Sequence, residues 1–340
     1  GTREARQKSE RDRDYFDLKQ WTAEETATLN ARKQPVITFD RTKRKVLAVM
    51  GLEKQTRKDP KAFPRNPNDE GAASAATDAI RYVCDDSRWD DKRSLASENL
   101  LVEGTGAIKV GVKQGKNGID PSLTRVPWDR LFYDPHSSEF DFADASYMGE
   151  VIWMNVDDAK RMFPGRESAL ENTLAAEQYT ETYDDKPKNR MWADFARKRV
   201  RVVEIYYKRG GEWQFCIFTK GGHLTDPGPS PYQDEDGKPE NPIKAVSLYI
   251  DRDNNRYGDV RSMIGPQDEI NKRRSKALHL INVRQVRVGR GNEMTPAEIK
   301  KELAKPDGVV IGDQGDIEVL NTSDMASANL AMLQEAKQEI

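Results

Sequence analysis

Asp134, His136, Asp141 and Asp144 lie within eleven residues and form the one cluster read as able to bind a divalent metal for phosphodiester chemistry. Hard carboxylate oxygens suit magnesium or manganese, and such an ion could support phosphodiester chemistry. Asp134-Pro135 is equally the start of an ordinary turn, and Asp141-Phe-Ala-Asp144 lacks a recognised ligand spacing. The expectation is a turn; the alternative is a metal-dependent DNA-processing enzyme built on these four residues. Gly104-Thr-Gly106-Ala-Ile-Lys109 suggests a phosphate loop, but such a loop follows a strand and opens a helix, so that helix amides hold the anion. Here the order is reversed, which makes the segment a turn. His223 follows Gly221-Gly222 in another turn, and His279 falls mid-helix among basic residues, neither beside a Ser, Cys or acid arranged for nucleophilic work. Cys84 and Cys216 form no Cys-x-x-Cys, which removes a disulfide framework and a structural zinc site. No catalytic residue, metal ligand or cofactor is expected.

The remaining constellation is electrostatic. The chain has 57 acidic residues against 55 Lys plus Arg, a formal charge of -2 that singles out no nucleic-acid or membrane partner. Between Lys272 and Lys305, however, ten basic residues stand against three acidic ones, leaving +7 there and -9 on the rest. Lys272, Arg273, Arg274 and Lys276 share one helical segment, Arg284, Arg287 and Arg290 continue from it, and Lys300, Lys301 and Lys305 follow. No aromatic residue interleaves the arginines, so base stacking on single strands is not expected. Contact with phosphates or with an acidic protein is.

The elements that must position these groups are legible in turn. Thr22-Ala-Glu-Glu25 is a capping box opening a helix to about Lys33, and Asp40 precedes a second helix expected to end at Gly51. Three prolines make 54–68 a loop, and 69–103 reads as two helices broken near Asp85–Asp90. The period then changes. Gly106–Lys113 and Leu123–Trp128 alternate as a hairpin, Ala145–Met154 is a strand, and Val156–Pro164 is a short helix. Gly165–Asn189 is polar and weakly helical. Val200–Tyr207 and Glu212–Thr219 flank Gly210-Gly211 as a second hairpin. A proline-rich surface loop at 225–242 precedes a strand at Val246–Ile250. Gly265-Pro266-Gln-Asp-Glu269 reads as a helix start, with Ile270, Ala277, Leu278 and Ile281 as its apolar stripe. A small module follows: a strand-like segment from Arg284, a capping box at Thr295-Pro-Ala-Glu298, and strands at Val309–Ile311 and Ile317–Leu320. A final helix starts at Ser323.

Composition narrows the class. With 36% hydrophobic and 33% charged residues and a mean hydropathy of -0.85, the core is thin for 340 residues. An elongated subunit meeting its neighbours through polar surfaces fits better than a compact enzyme. The longest apolar stretch, Val46–Leu52, falls far short of the roughly 20 residues of a membrane helix, so no membrane partner is expected. Gly1 stands in place of Met and the last helical pattern has no stop signal, so the expectation is part of a longer protein.

Several segments in this order resemble portal proteins of tailed double-stranded-DNA bacteriophages, in the short-tailed branch. They are Gln20-Trp21-Thr22, Gln34-Pro35-Val36-Ile37, the Gly104–Gly106 turn, Asp134-Pro135 with Asp141-x-x-Asp144-Ala145, Ile264-Gly-Pro-Gln-Asp-Glu-Ile-Asn-Lys-Arg-Arg-Ser275 and Lys305-Pro-Asp-Gly-Val-Val310. The resemblance implies a non-enzymatic ring subunit, usually in twelve copies, at one capsid vertex of the virion, assembled in the host cytoplasm. Its channel passes double-stranded DNA without sequence specificity. The implied partners are other copies of itself, the major capsid and scaffolding proteins, the terminase large subunit and a head-to-tail adaptor. The implied fold is α+β, with a mixed wing (1–260), a first stem helix (261–283), an α/β clip (284–322) and the start of a second stem helix (323–340), ending before the crown. On that layout Lys272, Arg273, Arg274, Lys276, Arg284, Arg287 and Arg290 contact DNA or a partner. Arg290, Lys300 and Lys301 dock terminase or tail, and Arg287 with Glu318 serves the subunit interface.

Overall fold

The computed structural model describes residues 2–115, 118–177, 191–282, 285–288, 294–303, 305, 309–311, 317–320 and 323–338. The charged opening run forms α1 (Thr2–Phe16). α2 (Ala23–Ala31) starts at the expected capping box, where Thr22 Oγ1 accepts from the Glu25 N–H at 3.1 Å and the Thr22 N–H donates to the Glu25 carboxylate at 3.1 Å. α3 (Thr42–Gln55) runs through Gly51 instead of ending there. Open space surrounds that glycine and its backbone is helical, so only its propensity cost of about 1 kcal/mol opposes the helix. α4 (Glu70–Asp86) and α5 (Trp89–Glu103) break at Arg88, which takes a left-handed φ of 50°. Ala72, Ala76, Ala79, Ile80 and Val83 recur at helical spacing along α4, yet they are no core stripe within the chain, because Thr77 is that helix's one buried residue.

β1 (Thr105–Gly115) and β2 (Gly118–Val126) form the first hairpin, and β3 (Leu131–Tyr133) precedes β4 (Tyr147–Asn155). α6 (Val156–Met162) stops before Pro164, and α7 (Glu167–Ala175) is the helical part of the polar stretch; 178–190 lie outside the described residues. β5 (Ala193–Asp194) leads into the second hairpin, β6 (Arg199–Arg209) and β7 (Glu212–Thr219), followed by β8 (Gly222–His223) and β9 (Gly228–Pro229). The strand expected at 246–250 is two: β10 (Ile243–Ser247) and β11 (Tyr249–Ile250), the latter paired with β12 (Arg256–Tyr257). The break falls where Leu248 donates its N–H to Gly104 O at 3.0 Å. α8 (Val260–Asn282) starts before Gly265-Pro266, with Pro266 inside the helix. Burial of Val260 and Met263 accounts for the extra turns against the proline's cost. β13 (Gln285–Val288), α9 (Pro296–Leu303), β14 (Ile317–Leu320) and α10 (Ser323–Gln338) complete the chain. The strand expected at Val309–Ile311 is not formed, and Val309 and Ile311 are more than 70% exposed.

The chain divides into two units, Gly1–Glu10 with Val49–Asp259, and Arg11–Ala48 with Val260–Ile340. In the first unit one sheet has the order β10-β1-β2 and the other β3-β4-β6-β7-β8, all antiparallel. Ala107, Val126, Ile243 and Ala245 of the small sheet share a core with Leu131, Met148 and Tyr206 of the large one. A second cluster packs Val156, Ala159, Leu170 and Phe163 of the α6–α7 region against Val200 and Val202 of β6. In the second unit Ile270 packs with Leu333 and Ala336, flanked by Phe39 and Leu330. Of the stripe read on α8, Ile270 and Ala277 are buried, whereas Ile281 is exposed and Leu280 takes its place inside.

The strand register sets Glu150 directly opposite Glu204, two carboxylates side by side on β4 and β6. Lys109 reaches across from β1, with Nζ 2.7 Å from Glu150 Oε1 and 2.6 Å from both Glu204 oxygens. The buried Tyr206 hydroxyl donates to Glu204 Oε1 at 2.5 Å. Burial pushes the Lys109 ammonium down, but the two glutamates outweigh it and raise its pKa above the ordinary value. A raised lysine stabilises fully below its ordinary pKa and loses that contribution only as pH climbs through the folded value, so the cluster is intact at neutral pH. Lys109→Met leaves the buried Glu204 facing the half-buried Glu150 and is expected to cost about 3 kcal/mol, the low end for a broken buried pair, in chemical denaturation at pH 7. Adding Glu204→Gln to it should recover part of that loss; a neutral single variant would show that the cluster is solvated.

Candidate functional site

The aspartate cluster is built as a turn. Asp144 accepts from Ser137 Oγ at 2.5 Å, from the Ser138 N–H at 2.6 Å, and from Ser138 Oγ at 3.0 Å. Asp134 accepts from the backbone N–H groups of His136 and Ser146, both at 3.0 Å, and Asp141 from that of Ala143 at 3.0 Å. The carboxylates thus turn towards main-chain and hydroxyl donors of their own loop, an arrangement of Asx turns. For Asp144, burial opposes ionisation, but hydrogen bonds from Ser137, Ser138 and Glu139 outweigh it and hold the acid far below the usual carboxylate range. Arg256 closes the loop from beneath. It is 2% exposed, its guanidinium lies 4.6 Å from the Phe142 ring and 5.4 Å from that of Tyr133, and it donates to Ser137 O at 2.7 Å. Among the described residues no three His, Cys, Asp or Glu side chains are grouped to hold a metal ion.

The other chemical candidates are also structural. Gly104 caps α5 with φ 86°, and a Cβ there would stand 2.1 Å from the Tyr257 carbonyl carbon. A helix precedes it and a strand follows, as the glycine spacing implied. His223 places Nδ1 3.7 Å from Cys216 Sγ, the latter buried, and His279 lies half-buried on α8.

The basic helix divides its charges between two uses. Lys272 Nζ lies 3.2 Å from Glu25, and Arg273 pairs with Glu269 one turn earlier. Arg274 rests its guanidinium 5.3 Å from the Phe39 ring. Lys276 is exposed and, with Asp268, Glu269, Lys272, Arg273 and Asn329, lines an open groove of 620 Å³ beside α10. Arg287 is exposed, and the β13–β14 register sets it opposite Glu318 of the same chain. Lys300 and Lys301 are exposed on α9, which starts at the expected capping box, the Thr295 N–H donating to Glu298 at 2.8 Å. Arg284 and Arg290 lie outside the described residues.

A polar ladder on the opposite side of α8 was not anticipated. Gln267, Asn271 and Ser275 are 0%, 2% and 1% exposed, and each holds the extended strap of residues 34–40. Gln267 Nε2 donates to Phe39 O at 3.0 Å, the Phe39 N–H donates to Asn271 Oδ1 at 2.9 Å, and Ser275 Oγ donates to Pro35 O at 2.6 Å. Asn271 Nδ2 donates to Gln20 Oε1 at 2.6 Å, and Trp21 Nε1 donates to Ile37 O at 3.0 Å. The i, i+4 spacing of three polar residues within one helical segment was the available signal. These residues belong to the same segments that carry the portal resemblance, so those motifs are partners in one hydrogen-bonded assembly.

Sheets joined by a charge cluster, a helix–insert–helix unit and aspartates committed to turns describe a structural subunit. The family model described as Phage P22-like portal protein matches residues 1–210 and 208–340. The chain belongs to the P22-like portal protein family, a family of non-enzymatic proteins that form the portal at the capsid vertex of the virion and act in DNA packaging. A search of curated proteins returns no match. No helix among the described residues is long and apolar enough to cross a membrane.

Two outcomes test the reading of the aspartate loop. A depressed carboxylate stabilises above its ordinary pKa of about 3.9 and loses that contribution as pH falls below it. Asp144→Asn should therefore be less stable than wild type at pH 7, with the gap closing below about pH 4. Millimolar magnesium or manganese should leave the melting temperature unchanged; a rise abolished by Asp144→Asn would restore the metal site.

Proposed function

We propose that the chain contributes one sector of a ring of about twelve copies related by rotation, head to tail. In this reading residues 1–260 are the wing, α8 is the first stem helix, 284–322 are the clip and α10 begins the second stem helix. The observation that carries it is the layout of the second unit: α8 and α10 pack on each other through Ile270, Leu333 and Ala336, and the β13–α9–β14 module is inserted between them in sequence. Exposed Tyr82, Val112 and Ile119 support a subunit that covers apolar surface on assembly.

Channel contact falls to Lys276 above all, because Lys272, Arg273 and Arg274 already have partners within the chain. Arg284, Arg287 and Arg290 extend the basic run from the helix. A conduit that passes every sequence must avoid base readout, which fixes register, and use phosphate attraction instead. Arg290, Lys300 and Lys301 are proposed to dock the terminase large subunit and later the head-to-tail adaptor. Capsid and scaffolding proteins would meet the wing. Arg287 and Glu318 remain proposed for the subunit interface. Because they are also register partners in the β13–β14 pair of one chain, a charge swap at both must be read in mixed rings to separate the two cases.

Native mass measurement of the full-length protein should give a closed ring, and duplex binding should be weak, independent of sequence and lost with salt. A footprint at one sequence that survives high salt would exclude a conduit. Lys300→Glu with Lys301→Glu should leave rings intact while impairing packaging or tail joining, the defect deepening with ionic strength. Normal packaging and tail joining by such rings would move docking away from the clip.

A further inference from the structure

The ladder continues beyond the rungs in use. Hydrogen-bonding side chains recur at every fourth position of α8, from Gln267 through Asn271 and Ser275 to His279. Four residues advance a helix by about 6 Å and return to nearly the same face, so each rung offers its polar group to almost the same line. The strap occupies the first three, and His279 stands half-buried one turn past the last. The lysine beside the ladder recurs with the same period: Glu25 holds Lys272, and Lys276 is one turn further along, exposed.

The chemistry of each rung fits its neighbour's task. Asn271 can donate its amide to Phe39 O as Gln267 does. The Ser275 hydroxyl can accept from the Phe39 N–H and donate to Gln20, the two roles of Asn271. An imidazole N–H of His279 can donate to Pro35 O as Ser275 does. Leu278 would replace Arg274 under Phe39, exchanging a cation–ring contact for an apolar one. The contacts given up are the long Thr42 to Gln267 hydrogen bond of 3.3 Å, the Gln20 Nε2 to Tyr15 O bond of 3.1 Å and the packing of Phe39 beside Ile270. α1 need not follow, because its own holds on α8, Asp12 to Arg261 at 2.9 Å and Tyr15 to Asp268, precede the ladder. Between α1 and α2 the chain turns at Leu18 with φ 66°, outside any helix.

We propose that the ladder is a two-position register device, in which the strap and α2 step one turn along α8 towards its C-terminal end. The step exchanges Gln267, Asn271 and Ser275 for Asn271, Ser275 and His279, and Lys272 for Lys276 at Glu25. One-turn shifts of this kind are an established form of bistability between packed elements. The proposal rests on this unit's geometry and not on the assignment of α8 as a stem helix, so its failure leaves that assignment standing.

Paired cysteines in the intact Cys84→Ser protein, bridged by a short bifunctional maleimide, read the register; Cys216 is buried. Glu25→Cys with Lys272→Cys reports the observed position, Glu25→Cys with Lys276→Cys the stepped one, and Glu25→Cys with Asp268→Cys the wrong direction. The stepped pair should react at least tenfold faster than the wrong-direction pair. His279→Leu should slow the stepped pair several-fold and leave the observed pair unchanged. Equal rates for 276 and 268, or no effect of His279→Leu, would overturn the device. Spin labels at the half-buried position 25 and the exposed position 276 give an independent reading. Two distance populations are expected, the stepped one shorter, and a single population would refute the step.

Discussion

Lys109 stands where a strand register would otherwise fail. Antiparallel pairing of β4 with β6 brings Glu150 and Glu204 face to face, and like charges directly opposite destabilise a sheet. Sliding the register by one residue would separate them, but it would also turn Val200 and Val202 out of the core they now fill. The lysine of the facing sheet settles that conflict and ties the small sheet to the large one at the same point. Hairpin, core and second sheet are therefore specified together, by a buried ionic contact that an apolar core could not direct.

The second unit meets the same constraint with neutral groups. A chain of 36% hydrophobic residues has too little apolar surface to wrap a 23-residue helix on every side. α8 spends its apolar face on α10 and meets the strap with amides and hydroxyls, each matched to a peptide group. Hydrogen bonds of this sort add only about 1 kcal/mol each, yet leaving one unmade costs as much or more. Their effect is to select registers. An interface of shape-filling side chains permits one register, whereas a repeated polar ladder permits those that satisfy it.

Local rules read the local features of this chain well. Capping boxes at Thr22 and Thr295, the hairpins around β1–β2 and β6–β7, and the helix-to-strand turn at Gly104 follow from contacts within a few residues, and all stand in the structure. What was misread depends on partners far along the chain. Pro266 marked a helix start by propensity, while burial of Val260 and Met263 extends the helix past it. Gly51 resembles a stop by propensity, but its cost in a helix is only about 1 kcal/mol and α3 continues through it to Gln55. Lys109, Glu150 and Glu204 are unremarkable charges until the register brings them together. The basic run was legible as charge, but its division was not, since Glu25 and Phe39 are more than 230 residues away in sequence from the groups they hold.

That division bears on how one helix can serve two purposes. Lys272 and Arg273 are compensated by Glu25 and Glu269, so α8 is less basic than its composition suggests. If α8 lines the conduit as proposed, this restraint serves it. Every uncompensated cation adds to the salt-dependent attraction between wall and phosphate, and a wall that binds tightly would hold the DNA it must release. Ion pairs inside the subunit keep the attraction shallow. The same pairs give the ladder a charged rung beside its neutral ones, so a step from Lys272 to Lys276 would uncover one lysine while covering another. In the proposed device, register and surface charge on this helix are a single variable.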